Sequence, residues 1–127
     1  MTQRADAERL VKALHGARVS GDLAAMCTLF AAQGRFEITG ASADQPIVIT
    51  AEGLAMFRPW LAVMVKSFRL YHYTLLSLVV EWPKIVVHWR ADIYSKFTGI
   101  TVPTELVDLL EIRDERIVAY REFFVRR

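Results

Sequence analysis

Three parts of the sequence hold residues able to move protons. Arg90-Ala91-Asp92 sets a guanidinium and a carboxylate two residues apart. On a strand, positions i and i+2 share a face, so Arg90 can orient Asp92 and tune its pKa. Asp108 alternates with Leu106, Leu110 and Ile112, and burial on that face would raise its pKa by desolvation. Glu122 completes the set near the C-terminus. Two carboxyl groups with pKa values pushed apart are what acid/base chemistry near neutral pH needs. Whether Asp108 and Glu122 meet depends on the turn at Asp114-Glu115, because one residue of loop length flips the pairing face. A two-residue turn pairs Asp108 with Arg121 and sends Glu122 to the other face beside Val107. A three-residue turn pairs Asp108 with Glu122 directly. Opposite charges across a ladder attract and like charges repel, which favours the first register.

A plainer reading stands beside each of these. Arg90, Asp92, His88 and Tyr94 alternate with Val87, Trp89, Ala91 and Ile93. If the apolar set faces a covering layer, the polar set lies on the outer face, in solvent or against a partner. His15 and His72 have no partner nearby in sequence and read as surface or satisfied core histidines. Cys27, on an apolar helix stripe, reads as a small core hydrophobe.

The elements that must position these groups follow from periodicity. Leu10, Val11, Leu14 and Ala17 mark one face of a helix that ends at Ser20-Gly21-Asp22. Asp22 caps a second, shorter helix carrying Leu23, Met26, Cys27 and Phe30. A short strand spans Arg35–Thr39, with a further fragment at Ile47–Ile49. Thr50 caps a third helix with the stripe Leu54, Phe57, Leu61, Met64, Val65 and Phe68, which Pro59 should kink or split. From Leu70 onward the pattern is sheet: Leu70–Trp82, Ile85–Ser95, Thr101–Arg113 and Arg116–Val125. Helices first and long strands after, joined by short turns, predict an α+β domain in which three helices cover one face of a mainly antiparallel sheet.

Composition bounds the rest. The chain has 127 residues, 54% of them hydrophobic and 24% charged, with one cysteine, which fits a single domain over residues 1–127. Nothing approaches the roughly 18 uninterrupted apolar residues of a membrane span. The N-terminal stretch has charges of both signs and no apolar core of a signal peptide, so the chain reads as cytoplasmic. Cys27 and three scattered histidines offer neither a disulfide nor zinc-ligand spacing, and no cofactor motif is present. Sixteen basic residues against fourteen acidic leave a net charge of +2, and the basic residues are spread singly apart from the doublet Arg126-Arg127, unlike a nucleic-acid footprint.

The order of elements resembles the nuclear transport factor 2-like superfamily, the cone-shaped α+β fold of ketosteroid isomerases, SnoaL-like polyketide cyclases and limonene epoxide hydrolases. The resemblance rests on Ser20-Gly21-Asp22-Leu23, Leu29-Phe30-Ala31, Arg35-Phe36-Glu37, Glu52-Gly53 and the ending from Arg113 to Phe124. It implies a curved sheet, a cavity between sheet and helices, and one of several functions, because this fold hosts enzymes and plain binding modules alike. The mild apolar surplus then reads as cavity wall for a small hydrophobic molecule. Leu14, Phe30, Phe36, Phe57 and Trp60 would line it, together with Leu61, Trp89, Leu110, Tyr120 and Phe124. Arg90, Asp92, Asp108 and Glu122 would orient the ligand.

Two family comparisons assign roles. Arg90-Ala91-Asp92 and Tyr120-Arg121-Glu122-Phe123-Phe124 resemble epoxide hydrolase motifs, which would make Asp92 the acid, Glu122 the base and Arg90 the bridge. That family's water-holding Tyr and Asn fall at Phe36 and Ile38. In the ketosteroid isomerase comparison the base falls at Ile38 and the oxyanion-hole Tyr at Leu14, while Asp108 takes the place of a protonated, hydrogen-bond-donating Asp. The outer sheet face, with Val86, Tyr94, Val107 and Leu109, points to a homodimer. A purely structural dimerisation domain, with a filled cone, is the remaining alternative.

Overall fold

A computed structural model describes residues 3–40 and 48–125. The first helix, α1, spans Gln3–Ser20 and buries Ala7, Val11, Leu14, His15, Ala17 and Arg18. Its end is a paired reversal: Gly21 N donates to Arg18 O and Asp22 N to Ala17 O. That closure needs a left-handed residue, which Gly21 supplies at φ +74. Asp22 then caps α2, Leu23–Cys27, by accepting from Ala25 N at 3.0 Å, as its sequence position predicts.

Phe30 does not continue α2; it opens the strand β1, Phe30–Thr39, which starts earlier than the alternation alone suggests. β2 covers Val48–Glu52, so Thr50 lies in a strand and the cap of the third helix is Gly53. Ile47 and the loop before it fall outside the described residues. The third helix, α3, runs Leu54–Lys66 through Pro59 without a break. Ala55, whose carbonyl loses its partner to the proline, sits on an exposed turn where water can replace it. The long strands follow: β3 at Phe68–Glu81, β4 at Lys84–Ser95, β5 at Thr101–Arg113 and β6 at Arg116–Phe124.

The six strands form one sheet in the order β2-β1-β6-β5-β4-β3. Every neighbouring pair is antiparallel except β1 with β6. The three helices pack against one face, and the core lies between them. Leu14 and Val11 of α1 and Phe57 and Leu61 of α3 meet Phe36, Ile85, Val87, Trp89, Leu106, Leu110 and Tyr120 of the sheet. Aromatic rings fill its centre: Phe36 stacks between Phe57 and Tyr120, with centroids 5.3 and 5.4 Å away.

The ladder has four register shifts among the described residues, and two of them decide what faces inward near Asp108. Asp114 and Glu115, at φ 52 and 63, make a two-residue reversal whose twist suits a hairpin. Arg113 pairs Arg116 and Ile112 pairs Ile117, but Glu111 pairs Ala119. Val118 is therefore an extra residue, and the bulge shifts all later pairing by one. In β3 a second bulge lies between the pairs Tyr71 with Asp92 and Thr74 with Arg90, and His72 within it takes φ +55.

Candidate active site

Helical spacing builds the first wall of the site. Val11, His15 and Arg18 lie four and three residues apart, so they share the buried face of α1. His15 is 2% and Arg18 6% exposed. Opposite them, the Val118 bulge turns Tyr120 and Glu122 inward on β6 and sets Glu122 directly across from Asp108 of β5. The register in which Asp108 meets Arg121 does not form. The turn has two residues as that register requires, but the bulge supplies the residue that a longer turn would have added. Arg121 instead points outward, where its Nε donates to Glu37 at 3.1 Å.

The buried groups form one network. Arg18 donates to Glu122 Oε2 at 2.6 Å, and Tyr120 donates its hydroxyl to the same oxygen at 2.7 Å. Trp89 Nε1 donates to Asp108 Oδ2 at 3.0 Å. His15 Nε2 lies 3.0 Å from that oxygen, and His15 Nδ1 meets the Tyr73 hydroxyl. With Asp108 as acceptor, the network assigns the proton to Nε2, so Nδ1 accepts from Tyr73. The Arg18 guanidinium also covers the Trp89 ring at 4.9 Å.

Burial sets the protonation. Removal from water pushes the Asp108 and Glu122 carboxyls up, Asp108 to about 6 and Glu122 to about 7, against the pull of Arg18. Burial and the neighbouring Arg18 charge drive His15 down to about 3, so its ring is neutral. Tyr120 is pushed up by burial and by the two carboxyl groups. With both carboxyls ionised, Asp108 Oδ1 has no donor among the described residues. A proton on Glu122, directly across the ladder, would supply one. Two carboxyl groups pushed up toward neutrality beside a fixed cation are able both to give and to accept a proton.

The structure gathers only some of the residues singled out from the sequence. Asp108 and Glu122 come together. Arg90 is exposed on the outer face, and Asp92, also on that face, pairs with the exposed His72 at 2.8 Å. The reason is the phase of β4, whose buried residues are Ile85, Val87, Trp89 and Ala91. Neither Arg90 nor Asp92 approaches Glu122, so the Asp92–Arg90–Glu122 arrangement is not assembled. Leu14, Phe30, Phe36, Phe57, Leu61, Trp89, Leu110 and Tyr120 are buried, and Phe124 packs half-buried against them. Trp60 is 41% exposed, because it sits one helical step off the inward stripe of Phe57, Leu61 and Met64.

The sequence does not single out Arg18 or Tyr73, and it reads His15 only as a surface or satisfied core histidine; the structure makes it a buried, hydrogen-bonded one. The signal for His15 and Arg18 was helical spacing: Ala7, Val11, His15 and Arg18 continue one stripe in which two polar residues take apolar positions. Two depressions, of about 500 and 640 Å³, open on the surface, the first beside Arg35, Phe36, Glu37, Glu52, Tyr120 and Arg121, the second beside Arg69, Tyr71, Tyr94, Lys96 and Thr101. Neither is lined by Asp108 or Glu122, which are 0% and 1% exposed. Among the described residues no group of three or more His, Cys, Asp or Glu is placed to hold a metal ion. Among them, too, no helix is long and apolar enough to cross a membrane.

Residues 7–120 match the SnoaL-like domain model. The chain belongs to the SnoaL-like family. Solved structures agree on the fold of this SnoaL-like protein. A candidate isomerase from Bacillus subtilis superposes with a TM-score of 0.82 at 20% identity, covering 98% of this chain and 90% of that one. An LEH-like epoxide hydrolase from M. tuberculosis gives 0.74 at 16% identity, covering 95% and 84%. A protein of ketosteroid isomerase-like fold from Catenulispora acidiphila, in complex with trimethylamine, gives 0.70 at 20% identity, covering 89% and 82%. No curated protein matches the chain in sequence.

Proposed function

We propose that this SnoaL-like protein binds a small, largely apolar molecule inside the cone and moves a proton on it, without a cofactor, as an isomerase does. The observation that carries this reading is the direct pairing of Asp108 with Glu122 in a buried site that also holds Arg18. The protonated carboxyl of the pair donates to a carbonyl or hydroxyl oxygen of the substrate, and the ionised one accepts a proton from an adjacent carbon. Arg18 holds the negative charge on Glu122 as the proton leaves, and Tyr120 keeps that carboxyl in place. The surrounding aromatic rings of Phe36, Phe57 and Trp89 supply apolar contact. Because the pair is covered at rest, binding includes an opening step.

Small enolisable cyclic ketones in deuterated buffer test the proposal. Loss of α-proton NMR signals faster than in buffer is expected, together with loss of that acceleration in Asp108→Asn and Glu122→Gln. Phenols, which resemble enols, should raise the melting temperature. A panel in which no ketone exchanges and no phenol stabilises overturns the reading in favour of a structural module. We also propose that residues 1–127 act as one domain and that a second copy covers the outer sheet face beside Val86, Tyr94, Val107 and Leu109. Light scattering that finds a monomer at micromolar concentration would refute the dimer.

A further inference from the structure

We propose that Tyr73 and His15 form a proton relay that connects the buried Asp108–Glu122 pair to solvent. The inference rests on the reading of that pair as the proton-moving site. Any such site must return its proton, yet its members are sealed. Asp108, Trp89 and Tyr120 are fully buried, Glu122 is 1% exposed, and His15 and Arg18 are buried on α1. Among the described residues of the network, Tyr73 is the one that reaches partial exposure. Its hydroxyl meets His15 Nδ1, and His15 Nε2 meets Asp108 Oδ2 at 3.0 Å. The chain is unbroken from the rim of β3 to the carboxyl pair.

The backbone is bent to make this contact. The extra residue in β3 between the pairs Tyr71 with Asp92 and Thr74 with Arg90 puts His72 in the left-handed region, at φ +55. Bulges re-aim side chains, and strained residues persist where the surroundings over-determine them. Here the result is that Tyr73 turns toward His15 and Trp89, with ring centroids 5.2 and 5.6 Å away.

The transfer balances without an imidazolium. A hydronium outside gives a proton to the Tyr73 oxygen while the Tyr73 O–H proton passes to His15 Nδ1 and the His15 Nε2 proton passes to Asp108 Oδ2. One proton enters, each atom keeps its valence, and His15 changes from the Nε2–H to the Nδ1–H tautomer. The two hydrogen bonds of the relay, Tyr73 to His15 and His15 to Asp108, survive with their direction reversed, and the reverse passage lets a proton out. The groups facing His15 are Arg18 on its own helix, Tyr73 of β3, Trp89 of β4, Asp108 of β5 and Glu122 of β6. Arg18 opposes a charged imidazole and burial does so more strongly. A ring that takes and gives a proton in one concerted passage avoids that state.

Infrared spectroscopy of the protein alone tests both levels. At about pH 6 the protonated carboxyl should show a C=O band that disappears in Asp108→Asn or Glu122→Gln. Absence of that band overturns the shared-proton reading itself, and the relay with it. Where the band is present, rapid mixing into deuterated buffer follows its isotope shift. The relay predicts a shift slowed at least about tenfold, equivalent to about 1.4 kcal/mol in barrier, in Tyr73→Phe, which keeps the ring, and in His15→Gln, which keeps a donor for Asp108. An unchanged rate in either folded variant refutes the relay and leaves the carboxyl pair standing.

Discussion

Glu122→Gln should change the pH dependence of stability more than stability itself. Burial lifts the Glu122 carboxyl from 4.5 to about 7, with Asp108 beside it adding to the lift and Arg18 opposing. The folded state therefore holds a proton that the unfolded chain has released across that interval. Such a group contributes stability that is fully present below its unfolded pKa and is lost as pH rises through its folded pKa. At about 1.4 kcal/mol per pH unit, that loss is about 2–3 kcal/mol between about pH 5 and about pH 8. The glutamine amide is nearly isosteric with a protonated glutamic acid and cannot ionise. The variant should thus match the parent near pH 5 and become the more stable of the two by about that amount near pH 8.

Urea denaturation followed by Trp fluorescence measures this, since Trp89 is fully buried beside the site. Comparing the two proteins removes the contribution of His15, which runs the other way. Its folded pKa is depressed to about 3, so its stability is present above its unfolded pKa of 6.5 and is lost as pH falls toward about 3. The difference between parent and variant cancels that part. A difference that stays constant from about pH 5 to about pH 8, or one that moves in favour of the parent, would refute the protonated pair.

Arg18→Met removes the cation hydrogen-bonded to Glu122 and should cost about 3–5 kcal/mol near pH 8, where a charge is left buried, and much less near pH 5; equal losses at both values would count against the argument. Trp89→Phe keeps an aromatic ring but takes a donor from Asp108 Oδ2, with an expected loss of about 1–3 kcal/mol in the same titration. Phe57→Ala empties the space between Phe30 and Phe36 and should cost about 3–5 kcal/mol by chemical denaturation. A loss under about 1 kcal/mol would mean that the aromatic centre is loosely packed.

The elements were largely legible because their periods are strong. The clean alternation of Ile85 to Ala91 fixes both the existence of β4 and its buried face, and Asp22 announces the start of α2. Where the reading fell short, the cause is tertiary. The start of β1 has no alternation from Ala31 to Gly34, and its place is set by β6. A Cβ on Gly34 would lie 3.2 Å from the Ile117 carbonyl, so a side chain there would crowd the approach of the two strands. The sequence gives His15 and Arg18 no role at a site, because a polar residue on an apolar stripe signals nothing until a partner arrives from a distant strand. Those partners are Asp108 and Glu122, about ninety and a hundred residues further on.

The pairing of the two carboxyls was the hardest feature to read, and the reason is instructive. The like-charge rule correctly disfavours Asp108 across from Glu122 when both are ionised in water. It loses force here because burial pushes both carboxyls up, and a neutral carboxyl can donate to an ionised one. Turn chemistry gave no hint either, since the turn itself has the expected two residues and the shift occurs three residues later at Val118. The bulge at Val118 brings Glu122 to Asp108, and the bulge at His72 brings Tyr73 to His15. Each places one end of the same hydrogen-bonded network, and without its bulge either end would face away. A sheet optimised only for pairing has no use for two such defects beside the same buried acid. Their coincidence is the structural argument that the network, and not the ladder, is what this region is built to hold.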